Sequence, residues 1–153
     1  MQWVIWAGLL PGCLAAAAVI VRRPARQVWE EMHADRARLL FRRRREWLEA
    51  RFVSVLLRID PAEGRRWEDA EWRDDVVWAR DRQTRAFLAL AGVHFGPLTR
   101  DDRPYARHAT ALFEYRKGVW HAEGKRLDEI RPDEAFLRLQ RFERVVLPQR
   151  PQA

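Results

Sequence analysis

Apolar and polar positions divide the chain into three stretches of different period. Residues 3–21 are nineteen consecutive positions without a formal charge, and the run stops abruptly at Arg22, Arg23 and Arg26. As a helix it would extend about 28 Å at ~1.5 Å per residue, close to the ~30 Å thickness of a hydrocarbon core. Trp3 and Trp6 stand where interfacial aromatics belong, and the arginines after the run place the remainder on the cytoplasmic side. Pro11, between Gly8 and Gly12, predicts a kink of the kind bilayer-spanning helices tolerate. A cleavable signal peptide would need basic residues before its apolar stretch, and none precedes Trp3. Leu10-Pro11-Gly12-Cys13 is similar to a lipoprotein signal, but the apolar residues that follow suit a span better than a tether. The pattern predicts one transmembrane helix within residues 1–24, giving a single-pass membrane protein with a cytoplasmic soluble domain.

Helical spacing takes over next. Val28, Met32, Leu39, Leu40, Trp47, Phe52, Leu56 and Ile59 recur at intervals of three, four and seven, with Leu48 and Val55 beside them. These positions predict one apolar face of a long basic amphipathic helix over residues 25–59, beginning after Pro24. Arg42, Arg43, Arg44 and Arg45 interrupt it as a block.

Alternation replaces that period in residues 60–147. The pattern predicts strands over 75–80 and 85–95, joined by the turn Asp81-Arg82-Gln83-Thr84. Phe87-Leu88-Ala89-Leu90-Ala91 is apolar on both sides, as a central strand covered twice should be. Gly92 suggests a bulge or a close backbone approach. A polar loop over 96–108 follows. Centring a hairpin on Lys117-Gly118 pairs Arg116 with Val119, Tyr115 with Trp120, Glu114 with His121 and Phe113 with Ala122. After Arg131-Pro132 a C-terminal helix is expected, with Asp133 and Glu134 in its first turn and a stripe of Phe136, Leu139, Phe142 and Val146. A flexible tail is expected over residues 148–153. The fold expected is α+β: a transmembrane helix, a long basic helix, an antiparallel sheet of about four strands and a C-terminal helix.

Charge sharpens this picture. Eleven arginines face five acids over residues 22–58, whereas 59–153 is almost neutral, with eighteen basic residues against seventeen acidic. A nucleic-acid-binding domain would carry its basic footprint on its own folded surface, so nucleic acid is disfavoured as a partner. Basic residues just inside a membrane attract anionic headgroups at ~1 kcal/mol each. Arg22, Arg23, Arg26, Arg42, Arg43, Arg44 and Arg45 are therefore the candidate lipid contacts. The bland alternative is a solvated face in which Arg42–Glu46 and Arg45–Glu49 pair at i,i+4.

Catalytic chemistry is hard to assemble from the remainder. Cys13 is the sole cysteine and Ser54 the sole serine, the latter amid Val53, Val55 and Leu56. A Cys-based zinc site, an intramolecular disulfide and a nucleophile elbow are excluded. Phosphate-cradling glycine motifs are absent. His121-x-Glu123 copies half of a deaminase signature without its cysteines. His94, His108 and His121 are spaced by fourteen and thirteen residues, which fits no ligand pattern. No metal, cofactor or catalytic residue is assigned. Trp78, Phe87, Phe95, Phe113, Tyr115 and Trp120 are the candidate lining of a pocket if the sheet curls into a cone, although aromatics at strand spacing more often form core.

A helix followed by such a sheet resembles the cystatin-like or nuclear-transport-factor-like cones, with Gly118-x-Trp120 similar to their late hairpin. Arg66-Trp67, Asp75-Val76, Trp78-Ala79-Arg80-Asp81-Arg82, Thr110-Ala111 with Phe113, Gly118-x-Trp120, Gly124 and Pro132-Asp133-Glu134-Ala135 together resemble an uncharacterised family of small membrane-anchored bacterial proteins. The resemblance covers about half the chain and implies a membrane-anchored class without an activity. The function expected is a non-catalytic, membrane-tethered interaction module with a protein partner of unknown identity. The alternative is a cone-fold binder of a small ligand, or an enzyme using the aromatic cavity with Asp75, His94 or His121.

Overall fold

Asp60 and Pro61 divide the helical part of the chain. In the computed structural model, which describes the backbone of residues 9–96 and 107–146 and the side chains of 32–96 and 107–146, α1 spans Leu9–Ile59 and α2 spans Pro61–Glu68. The Asp60 carboxylate accepts from the N–H groups of Ala62 and Glu63, and Pro61 occupies the first turn, where its missing N–H does no harm. This second helix was not foreseen, although an Asp-Pro start signal stands in the sequence. Gly64 lets α2 fold back tightly on α1: a Cβ there would lie 2.5 Å from the Leu57 Cα. The chain divides into two compact units, Met1–Arg36 and Ala37–Ala153. The expected span at residues 3–21 lies outside the described side chains. Among the described residues no helix is long and apolar enough to cross a membrane.

Five strands form one curled antiparallel sheet in the order β4-β3-β2-β1-β5. They are β1 (Glu71–Asp81), β2 (Phe87–His94), β3 (His108–Arg116), β4 (Val119–Asp128) and β5 (Phe142–Arg144). β2 is central and buried over almost its whole length, as its two-sided apolar run requires. The β3–β4 hairpin has the expected register, with Lys117 and Gly118 both at positive φ, 50° and 82°. That pair of angles suits a tight two-residue turn matching strand twist. The expected loop over 96–108 lies mostly outside the described residues.

Two elements differ from expectation. The C-terminal helix is only the single turn α3 (Ala135–Arg138), and Phe142–Arg144 is instead an edge strand, with Ala79, Arg80 and Asp81 opposite Arg144, Glu143 and Phe142. Spacing of three between Phe136, Leu139 and Phe142 suits a helix, but the backbone is already extended at Leu139. Pairing with the free edge of β1 decides it, and Val146 is left 81% exposed. On α1 the buried stripe runs through Ala37, Phe41, Leu48, Phe52 and Leu56, whereas Met32, Leu39, Trp47 and Ile59 face solvent. Their choice as core was wrong because Phe41 hides beside the arginine block, and because Arg45 takes the place an apolar residue would have held between Phe41 and Leu48.

The sheet has two differently used faces. Its inner face packs Trp78, Ala89, Ala91, Val93, Ala111, Phe113 and Trp120 against the α1 stripe and Trp67 of α2. Its outer face carries Ala79, Leu88 and Leu90, covered by Ala135 and Phe142. Both edges of the inner face are shaped by irregular pairing. Residues 73–75 of β1 stand opposite Gly92 alone, and residues 123–125 of β4 opposite Leu112 alone. Such bulges bend the strand that carries them.

Candidate functional site

The six aromatic candidates share the inner face, but α1 and α2 occupy the space they would enclose. Phe41 enters between Trp78, Phe113 and Trp120, with ring centres 5.6, 5.3 and 5.0 Å away. Trp78 stacks on Phe87 at 5.6 Å, and Tyr115 lies 5.1 Å from Trp120. Phe95 sits apart, against Trp67 at 5.4 Å. The Trp120 indole N–H donates to the Ala37 carbonyl at 2.8 Å, which satisfies its polar atom inside the core. Only Phe87 and Tyr115 are half-open to solvent. Asp75, His94 and His121 do not join this cluster. Asp75 is exposed at the β1 bulge, His94 is exposed on the outer face, and His121 lies opposite Glu114 on that same face.

The arginine block splits into two roles. Arg45 turns inward: its guanidinium donates to the carbonyls of Asp74, at 2.7 Å, and of Arg73, while Nε donates to Glu49 at 2.7 Å. Those carbonyls lose their sheet partners at the β1 bulge, so Arg45 replaces the missing ladder donors. Arg42, Arg43 and Arg44 point outward, as do Leu39, 52% exposed, and Trp47, 60% exposed. The expected Arg45–Glu49 pair is present; Arg42 and Glu46 do not pair among the described residues. The side chains of Arg22, Arg23 and Arg26 lie outside the described residues.

Compared with known proteins, the chain matches no family model, no curated sequence and no solved structure.

The outer face holds two recesses that sequence reasoning missed. One, of about 540 Å³, has a floor of Leu88, Leu112 and Leu127 and a charged rim. That rim is closed on itself: Lys125 reaches Glu123 at 2.7 Å and Glu114 at 3.5 Å, and Arg116 binds Glu123. Hydrogen bonding from Lys125 holds the Glu123 carboxyl below its usual range, despite partial burial, and raises Lys125 in return. The second, of about 800 Å³, lies over Gly92 and is lined by arginines and the two histidines His94 and His108. These histidines are register partners on adjacent strands. Among the described residues no group of three or more His, Cys, Asp and Glu side chains could hold a metal ion. The local signal was the placement of Gly92, His94 and His108 at matching ends of β2 and β3. It became readable only once the strands were paired.

Proposed function

We propose that this chain is a non-catalytic, membrane-tethered interaction module, resting on anionic lipid through the outer side of α1 and presenting its sheet to a protein partner. The observation supporting this is the division within the arginine block. The fold uses Arg45, but among the described residues Arg42, Arg43 and Arg44 are exposed without an ion pair, as Trp47 and Leu39 are exposed on the same solvent side. Exposed guanidinium groups beside an exposed indole suit a headgroup layer, where cations meet phosphate and an amphipathic ring lies at the boundary. The uncharged run at residues 3–21 and the basic surplus over 22–58 support the same placement.

Co-sedimentation with vesicles tests it. A chain lacking residues 1–21 should bind phosphatidylglycerol-containing vesicles and ignore neutral ones. Replacing Arg42, Arg43 and Arg44 by Gln should weaken that binding on the order of a hundredfold, from ~1 kcal/mol per arginine near the surface. Equal binding by the native and substituted chains removes the lipid contact. Release of the full chain from membranes by alkaline carbonate removes the tether.

A further inference from the structure

We propose that the 800 Å³ cleft over Gly92 is a binding site for a small soluble oxyanion, a phosphate or carboxylate compound, independent of the lipid contact assigned above. Parity places it: Gly92, His94 and His108 alternate with the inner-face residues Ala91, Val93 and Ala109, so the cleft opens on the side of the sheet away from α1.

The wall of the cleft is held in place before any ligand arrives. Thr110, fully buried, donates its hydroxyl to the Ile130 carbonyl at 2.6 Å, and the Glu129 N–H donates to the His108 carbonyl at 3.1 Å. Pro132 is buried over Gly92, where a Cβ would come within 3.3 Å of its ring. Glu129 itself adopts a left-handed backbone, φ 57°, which a non-glycine residue accepts only under constraint from its surroundings.

Charge then selects the ligand. Two of the three lining carboxylates are already engaged: Asp75 by Arg73 at 3.0 Å, and Asp133 by Arg144, which lies outside the cleft. Arg107 and Arg131 line the same cleft and make no ion pair among the described residues, and none joins Glu129 to either of them. Two guanidinium groups without carboxylate partners among the described residues, beside two imidazoles that offer N–H donors, match the oxygens of a phosphate or carboxylate. The recess over Leu112 lacks this property because each of its arginine and lysine side chains has an acidic partner: Arg116 and Lys125 pair with Glu123, Arg126 with Asp128 and Arg141 with Asp81.

Titration calorimetry of the full chain in detergent, with pyrophosphate and citrate as probes, tests the assignment. Saturable binding of at least one probe is expected, weakened about tenfold or more in R107Q/R131Q. Both residues are exposed, so the thermal transition should be unchanged; the single variants report separately if it is not. R116Q/K125Q, on the other recess, should bind as the native chain does. Absence of saturable heat with both probes overturns the site, as does equal weakening in both double variants. Tighter binding of short-chain phosphatidic acid than of pyrophosphate in the same detergent titration, lost in R107Q/R131Q, would place a headgroup in the cleft, and would overturn the soluble ligand while leaving a lipid contact standing.

Discussion

Arg45 shows how one residue can mislead a reading of periodicity while holding the fold together. It is half-buried between Phe41 and Leu48 of the α1 stripe, and its guanidinium caps the carbonyls of Arg73 and Asp74. Counted as one of four surface arginines, it belonged with Arg42, Arg43 and Arg44, and nothing local distinguishes it from them. The partners that do so are twenty-eight and twenty-nine residues away. Hydrogen bonds to a charged donor contribute ~1.5–3 kcal/mol, so Arg45→Met should lower stability by about 2 kcal/mol, read as a shift in the urea midpoint. Arg42→Met should stay within ~0.5 kcal/mol, as surface substitutions usually do. Equal effects from the two would deny Arg45 its special place.

Elements were legible where their signals were local. The β3–β4 register followed from Lys117-Gly118 and alternation, and the central position of β2 from its two-sided apolar run. The C-terminal stretch was not, because a stripe of three-residue spacing fits a helix until the open edge of β1 is known. Asp81 ties that corner together. Its buried carboxylate accepts from the N–H groups of Gln83 and Thr84 in the turn and from Arg141 at 2.6 Å, just before β5. Burial alone would raise its pKa, but these donors outweigh it and hold the carboxyl below the ordinary range. A carboxyl depressed in the folded state stabilises above its unfolded value, about 3.9, and that contribution fades as pH falls through the folded value. The stability gap between the native chain and Asp81→Asn should therefore be full at pH 6 and shrink steadily below pH 4, followed by urea unfolding. A gap unchanged down to pH 2.5 would assign the effect to packing instead of charge.

At the scale of the whole second unit, the helix stripe and the curl of the sheet are one construction. α1 meets the β1 bulge through Arg45 and the β4 bulge through Leu56 and Val55, which would lie 3.3 Å from a Cβ on Gly124. Each bulge sets three residues against one, so each strand carries two surplus residues, an even number. Evenness preserves phase: Trp72 stays on the same side as Val76 and Trp78 across the interruption. Removing Asp74 alone would reverse that phase, turning Trp72 toward water and Glu71 toward the aromatic interior, and should abolish cooperative unfolding. Removing Asp74 and Asp75 together restores it and should leave a folded, flatter protein of reduced stability, visible as a retained but lowered thermal transition. Lengthening or shortening these strands is thus tolerable only in steps of two, a rule of parity written into the outline of the sheet.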